Sequence, residues 1–269
     1  MPQFAANLTM LFNEFEFLDR FDAAARCTFE GVEYLFPYGY DKALLQARLS
    51  ACGLKQVLHN LPAGDWAAGE RGIACLPDRV AEFEAGVERA IEYATALGCP
   101  RVNCLAGIRP PGLDAAAAGE TMIRNLRYAA AKLDTAGIRL LIEPINTRDV
   151  PGFSLSGTEQ AIDIIGDVGS DNLFLQFDIY HMHMMGEDVA RAIERHLPRI
   201  DHMQLADVPG RHEPGTGEID YPALFDLIDR AGYSSWIGCE YNPLTSTQEG
   251  LAWRRPFSAG VNPPEPRTR

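Results

Sequence analysis

The chain alternates short apolar runs with longer stretches whose apolar side chains recur every three or four positions. The first pattern predicts β-strands and the second predicts amphipathic helices, and their alternation is typical of repeated βα units around a parallel sheet. We count eight such units. The predicted strands cover residues 4–8, 31–35, 55–58, 101–104, 139–142, 173–177, 202–205 and 235–239.

Two of the predicted helices have clear signals at their ends. The first opens near Pro77 and stops at Gly98, a residue type that favours the left-handed conformation in which many helices end. The second begins at residues 119–120 and stops at Gly137, directly before a predicted strand. The sequence therefore predicts helix-to-strand connections at both glycines.

The length of the chain fits one large domain. It has 269 residues, 46% of them hydrophobic, and (β/α)8 barrels of about 250 residues form single domains. We predict an α/β fold, a single (β/α)8 TIM barrel, over residues 1–258. An open doubly wound sheet would give the same local pattern, and only the count of eight favours closure. Residues 259–269, which include VNPPEPRTR, are predicted to form a disordered tail.

Charge and composition narrow the choice of partners. The formal net charge is −13, which opposes binding to nucleic acid and to anionic membrane surfaces. The N-terminus has no basic leader, and no apolar run reaches the roughly 18 to 20 residues that span a bilayer. The six scattered cysteines form no CxxC pair and are predicted to be reduced. These features predict a cytoplasmic protein with a small-molecule partner, and they leave homo-oligomerisation through helical faces open.

Acidic residues stand at the ends of three predicted strands. Glu143 ends LLIE, Asp178 ends LFLQFD and Glu240 ends WIGCE. The carboxyl ends of barrel strands meet at one face, where unpaired carboxylates repel unless they share a proton or bind a cation. With Gln204 of HMQLAD they form an all-oxygen set suited to Mg²⁺ or Mn²⁺. The alternative, strongest for a single acid, is that such residues cap helices or pair with basic side chains.

Histidines and two long loops supply further candidates. His181 follows Asp178 by three residues and His59 ends the third predicted strand, so both are candidates for substrate binding. His202 lies on the same side of its strand as Gln204 and is a candidate supporting residue. The predicted active-site loops, rich in Gly, Pro and charge, cover residues 60–76 and 207–221.

Other familiar catalytic patterns are missing. The segment GTGEID lacks the Walker lysine and the third Rossmann glycine, so we interpret it as a turn that presents Asp220 as a helix N-cap. The sequence has no GxSxG elbow. Two facing glutamates, Glu143 and Glu240, are instead suited to moving a proton between adjacent carbons through an enediolate.

Several motifs together resemble the xylose-isomerase-like barrel superfamily. They are IEPIN, FDIYH, HMQLAD, PGTGEIDY and CEYNP, and NLPAGDWAAGERG at residues 60–72 resembles the hydroxypyruvate isomerase family in particular. The resemblance runs from about Phe4 to Trp253. It implies a metal-dependent isomerase that interconverts hydroxypyruvate and 2-hydroxy-3-oxopropanoate. It further implies a proton donor and acceptor, Glu143 and Glu240, and a metal held by Glu143, Asp178, Gln204 and Glu240.

The resemblance leaves the substrate open. Related keto-sugar epimerases have His where Gln204 stands, and an amide oxygen is the weaker ligand for transition metals. A short acid substrate needs a cation for its carboxylate, and Arg71 and Arg211 lie on the two loops. A 2-oxo-tetronate isomerase and a keto-sugar 3-epimerase are the near alternatives. An abasic-site DNA endonuclease and a catalytically inert barrel are the distant ones.

Overall fold

The computed structural model describes residues 2–257, and the predicted tail over 259–269 lies outside them. Eight parallel strands follow one another in chain order and close into a barrel in which β8 pairs with β1. The strands are Gln3–Asn7 (β1), Gly31–Glu33 (β2), Lys55–Asn60 (β3), Arg101–Cys104 (β4), Arg139–Ile142 (β5), Leu173–Asp178 (β6), Ile200–Leu205 (β7) and Trp236–Cys239 (β8).

The predicted TIM barrel is confirmed, since every predicted strand overlaps an observed one and no end differs by more than two residues. Helices cover the outside of the barrel. Within residues 2–257 the α-helices are Arg20–Arg26 (α1), Lys42–Cys52 (α2), Val80–Leu97 (α3), Ala115–Thr135 (α4), Thr158–Val168 (α5), Ile179–Met184 (α6), Val189–His196 (α7), Tyr221–Arg230 (α8) and Thr247–Gly250 (α9), with short 3₁₀ turns at Phe17–Asp19, Pro77–Arg79, Leu197–Arg199 and Leu251–Phe257.

Helix ends follow the side chains that satisfy their free backbone groups. Gly98 ends α3 in the left-handed conformation and Asp220 caps α8 through the backbone N–H of Ala223, both as predicted. The predicted start of α4 was wrong by about five residues. The helix begins at Ala115 because the carboxylate of Asp114 accepts the two N–H groups that follow Ala115 in the first turn.

The apolar core has two parts. A small cluster is formed by residues of the strands alone, and a much larger one packs the strands against the helices. All six cysteines are free thiols, as predicted. Among residues 2–257, no helix combines the length and apolar character needed to cross a bilayer. The small cluster consists of Ala5, Val57, Leu58 and Leu141.

An ion network of two buried residues, Arg101 and Asp201, and the exposed Arg139 closes the face of the barrel at the amino ends of the strands. Asp201 accepts from the Nε of Arg101 at 2.5 Å and from the guanidinium of Arg139. Arg101 also donates to the hydroxyl of Ser235 at 2.7 Å. Because Asp201 pairs with both arginines, we interpret this face as a structural closure, and the strand-end acids lie at the opposite face.

Candidate active site

Three buried carboxylates stand at the carboxyl ends of strands. Glu143 follows β5, Asp178 is the last residue of β6, and Glu240 follows β8. Burial, followed by the charges of Glu240 and Asp178, raises the pKa of Glu143 well above its ordinary value. Burial likewise raises the pKa of Glu240. The barrel therefore brings together acids that lie about a hundred residues apart in the chain, while their roles in catalysis and metal binding stay predictions.

Asp178 has two differently used oxygen atoms. Its Oδ1 accepts from the backbone N–H groups of Tyr180 and His181 at 2.8 and 3.4 Å and so caps α6. Its Oδ2 is buried and has no hydrogen-bond partner. Burial raises the pKa of this carboxyl, although the charge of Arg211 and the two N–H groups oppose the shift. Helix capping thus accounts for only one half of the carboxylate.

Arg211 brings a positive charge to these acids. Its Nη2 lies 3.4 Å from Oε1 of Glu240 and 3.6 Å from Oδ2 of Asp178. Its guanidinium lies over the ring of Tyr180, 4.9 Å from the centroid. Burial lowers the pKa of Arg211, but the charges of Glu240, Asp178 and Glu143 outweigh that effect and raise it. Arg211 is therefore a half-buried and permanently charged group in the pocket.

His181 lies beside the acids on the first turn of α6. Its Nε2 is 3.6 Å from Oδ2 of Asp178 and 3.9 Å from Oε1 of Glu143. Burial, and then the charge of Arg211, lowers the pKa of His181 well below its ordinary value. One ligand atom from each of Glu143, Asp178 and His181 lies within 4.8 Å of the others. The structure has His181 in this pocket, where the sequence predicted it.

Gln204 belongs to a buried network inside the barrel. Its Nε2 donates to Oε1 of Glu33 at 2.7 Å, and its Oε1 accepts from Nε2 of Gln176 at 2.6 Å. The carboxylate of Glu33 also lies 2.6 Å from Nε2 of His202 and accepts from Asn7 at 3.0 Å. An amide oxygen has two lone pairs, and the bond from Gln176 uses one of them. The Glu33 carboxylate thus links His202 to Gln204.

A glycine on β8 makes room for this network. A Cβ atom at Gly238 would meet the carboxylate of Glu33 at 2.3 to 2.5 Å, closer than real Cβ contacts come. Gly238 pairs with Gln204 of β7 in the sheet register. The glycine therefore lets a carboxylate from β2 reach across the interior of the barrel to β7.

The structure keeps two predicted substrate-binding residues apart from the acids. His59 contacts Gln56 and the ring of Tyr38, and burial lowers its pKa to about 3 against the opposing effect of the Ala90 carbonyl on α3. It therefore lies between the barrel and the helices. Arg71 stacks on Trp66 at 4.0 Å and donates to two carbonyls of its own loop.

The remaining histidines have ordinary partners. His183 pairs with Glu218 at 2.9 Å and His196 pairs with Glu159 at 3.0 Å. His212 lies 2.7 Å from a backbone carbonyl. None of these three contacts involves the strand-end acids.

The donor set fits a hard divalent cation. Three carboxyls whose pKa values are raised first of all by burial, and a buried carboxylate oxygen without a hydrogen-bond partner, are what a cation would satisfy. Glu143, Asp178 and Glu240 are the acidic donors, and Gln204 retains one amide lone pair.

Sequence reasoning missed several polar residues of this site. Asn103 on β4 donates to Oε2 of Glu143 at 3.0 Å and to Oδ1 of Asn60 at 3.2 Å. Glu33 ends β2 and holds Gln204. Each stands at or near the end of an apolar strand, so the rule that selected the three acids would also have selected these polar residues.

Comparisons with known proteins identify the family of this chain. A family described as xylose isomerase-like TIM barrel matches residues 21–257. Hydroxypyruvate isomerase of Escherichia coli is 52% identical over 257 residues, which cover 96% of this chain and 100% of that protein. A 2-oxo-tetronate isomerase of Cupriavidus necator is 49% identical over 257 residues, which cover 96% of this chain and 99% of that protein. A crystal structure from Brucella melitensis, described as an AP endonuclease of family 2, superposes with a TM-score of 0.93 at 47% identity, covering 96% of this chain and 99% of that one.

Proposed function

Because this chain belongs to the xylose isomerase-like TIM barrel family, we propose that this isomerase interconverts hydroxypyruvate and 2-hydroxy-3-oxopropanoate. The observation that carries the proposal is the burial of Glu143 and Glu240 in one pocket, with the charged guanidinium of Arg211 beside them. The E. coli relative of that name supports the choice of substrate.

The reaction moves one hydrogen between neighbouring carbons. One glutamate removes a proton from the hydroxymethyl carbon of hydroxypyruvate, which gives an enediolate, and the other delivers a proton to the former carbonyl carbon. The hydroxyl oxygen loses its proton while the carbonyl oxygen gains one, so the atoms balance. Burial raises the pKa of both Glu143 and Glu240, which supports this role because a carboxylate with a raised pKa is a stronger base than an exposed one.

Each neighbouring residue has a task in this proposal. Arg211 binds the substrate carboxylate, for which a guanidinium has the matching shape and charge. His181 contacts a substrate oxygen. Glu143, Asp178, Gln204 and Glu240 would hold Mg²⁺ or Mn²⁺, which when bound supplies positive charge against the charge that develops on the two substrate oxygens. Arg71 and His59 are left out because their contacts lie elsewhere.

A 2-oxo-tetronate is the second candidate substrate. The C. necator relative of that name is 49% identical, only slightly less than the E. coli protein. The chemistry is the same, because a four-carbon 2-oxo acid has the same carboxylate, carbonyl and neighbouring hydroxyl. The two substrates differ only in the room required beyond the reacting carbons.

The DNA endonuclease alternative has less support. The B. melitensis structure carries that description, but this chain has a net charge of −13, which opposes the phosphate backbone. The described cluster holds three potential ligand residues, Glu143, Asp178 and His181. Cleavage of a duplex with one abasic site, assayed beside the isomerase reaction, tests this alternative directly.

Proton NMR in deuterated buffer tests the proposed function. The enzyme with Mg²⁺ is expected to put deuterium on carbon in hydroxypyruvate or a 2-oxo-tetronate and to form the isomer. Glu143→Gln and Glu240→Gln should each reduce deuterium incorporation by at least about 100-fold while the circular dichroism spectrum is retained. Glu218→Gln is the matched control, because Glu218 lies on a loop and its side chain pairs with His183 and not with a strand-end acid. Exchange at the normal rate in both site variants, or no exchange with any of these acids in the wild type, would contradict the proposal.

A further inference from the structure

Asn146, on the loop after β5, has every hydrogen-bonding site of its amide in use. It is fully buried. Its Oδ1 accepts from the backbone N–H groups of Arg148 at 3.1 Å and of Asp149 at 2.8 Å. Its Nδ2 lies 3.0 Å from Oδ2 of Asp149 and 2.7 Å from Nδ1 of His181. An amide has two lone pairs and two N–H groups, and all four are engaged.

These contacts assign the orientation of the amide. If the oxygen and nitrogen of Asn146 were exchanged, the NH₂ group would face two backbone N–H donors, and the oxygen would face a carboxylate. Both arrangements are repulsive, so the NH₂ group must point to His181. Nδ1 of His181 is then an acceptor and carries no proton.

We propose that Asn146 is a positioning residue that fixes His181 as the neutral tautomer with its proton on Nε2, and that His181 therefore donates to substrate and does not bind the metal. The Nε2 atom is the one that faces Glu143 and Asp178, at 3.9 and 3.6 Å. A nitrogen that carries a proton has no lone pair for a cation. The cation site is thus left to the oxygen ligands, although His181 lies within ligand distance of the two acids.

The same network extends to Arg211. Oδ2 of Asp149 accepts from the hydroxyl of Tyr180 at 2.9 Å, and the ring of Tyr180 supports the Arg211 guanidinium. Asn146 therefore orients both His181 and Arg211, the two residues that bind the substrate in the proposed function. The expected effect on the isomerase kinetics rests on the proposed function, whereas the assignment of the His181 tautomer does not.

Long-range proton–nitrogen NMR of the ¹⁵N-labelled protein observes the tautomer directly. His181 signals are assigned by their loss in His181→Gln, and His183, whose partner is Glu218, is an internal reference. The wild type at pH 7 should show His181 protonated on Nε2 only, both without cation and with MgCl₂ added. Protonation on Nδ1, a doubly protonated ring, or loss of the Nε2 proton on addition of MgCl₂ would overturn the proposal.

A double variant reverses the polarity of the contact. In Asn146→Asp combined with Asp149→Asn, one new carboxylate oxygen can still accept the two backbone N–H groups and the other faces Nδ1. The ring should change to the Nδ1-protonated tautomer, and kcat should fall about 100-fold, as when one donor to a reacting oxygen is lost. Asp149→Asn alone keeps Asn146 and should keep the wild-type tautomer. An unchanged tautomer in the double variant would refute the role of Asn146, and if that variant does not fold, the wild-type spectra alone decide. Absence of isomerase activity with a correct tautomer would refute only the proposed function.

Discussion

Gln204 illustrates how one side chain's chemistry depends on its neighbours. As an isolated residue it offers either an oxygen or a nitrogen to the pocket. Glu33 accepts from its NH₂ group, and this contact turns the oxygen toward Gln176. The residue that decides how Gln204 faces the site therefore stands on β2, three strands away around the barrel.

We predict that Glu33→Gln destabilises the protein although the side chains have nearly the same shape. An amide in place of this carboxylate leaves a buried N–H group without an acceptor. Either its NH₂ group faces a donor of Gln204, His202 or Asn7, or His202 moves its proton to Nδ1, which has no hydrogen-bond partner. A buried donor without an acceptor costs about 1–3 kcal/mol, which urea unfolding would detect.

Glu30→Gln is the matched control for this prediction. Glu30 directly precedes β2 but is exposed, so its substitution should change the free energy of unfolding by less than about 0.5 kcal/mol. Equal stability of the Glu33 variant and the wild type would mean that the carboxylate does not hold Gln204.

At the scale of elements, the loops above the barrel are fixed by backbone contacts. Asp207 shows this for the loop that carries Arg211, because its carboxylate accepts four backbone N–H groups. The donors are Val208, Gly215, Gly217 and Ile219. Such a fully bonded carboxylate holds the loop in one shape, and the Arg211 guanidinium is thereby held among the acids without substrate.

The loop after β3 depends on close contact with the loop after β4. Gly72 has a φ of +109°, and a Cβ there would lie 2.2 Å from the carbonyl oxygen of Leu105. We predict that Gly72→Ala lowers the free energy of unfolding by more than about 2 kcal/mol, because backbone strain and a backbone clash act together. Chemical denaturation measures this change.

Gly69 separates the two causes. It lies in the same loop with a φ of +96°, but nothing stands within 4 Å of its Cβ position. Gly69→Ala should therefore cost only the conformational strain, about 1 kcal/mol. If both variants lose the same stability, the contact between the two loops does not contribute.

At the scale of the whole molecule, the sequence predicted the barrel well because strands and helices differ in period. Eight apolar runs located eight strands within two residues, and three acids at strand ends located the pocket. Side-chain direction was harder to predict. His59 seemed to end β3, but the strand continues to Asn60, and a register irregularity between β2 and β3 intervenes. Asn60 therefore contacts Asn103 inside the barrel while His59 lies on the helix side.

The sequence could not predict which residues become hydrogen-bond partners when the barrel closes. Contacts such as those between Glu33 and Gln204, or between Asn146 and His181, join residues separated by 171 and 35 positions. No local pattern encodes which of an amide's two ends faces a given neighbour. The sequence thus predicts which polar groups enter the pocket, and tertiary structure determines their hydrogen-bonding state.

The concentration of acids at one face predicts that cation binding releases protons. In the metal-free protein the pKa values of Glu143, Asp178 and Glu240 are raised, mainly by burial, so these carboxyls retain protons at a pH at which exposed acids have lost them. The stability associated with these protons is present at low pH and is lost as the pH rises through the raised pKa values. A bound cation needs ionised ligands and must displace the protons.

Calorimetric titration with MgCl₂ near pH 7, in two buffers of different ionisation enthalpy, counts the protons released. The apparent enthalpy should differ between the buffers, and the proton count should decrease as the pH rises, because Asp178 and Glu240, with pKa values of about 6 and about 8, then lose their protons before the cation binds. Glu240→Gln should release fewer protons than the wild type, whereas the exposed-residue variant Glu159→Gln should match it. Binding heats that are the same in both buffers from pH 6 to 8 would mean that the acids are ionised without a cation. The guanidinium of Arg211 and the hydrogen bonds to the acids would then suffice to keep them ionised, and the case for a resident cation would lose its electrostatic basis.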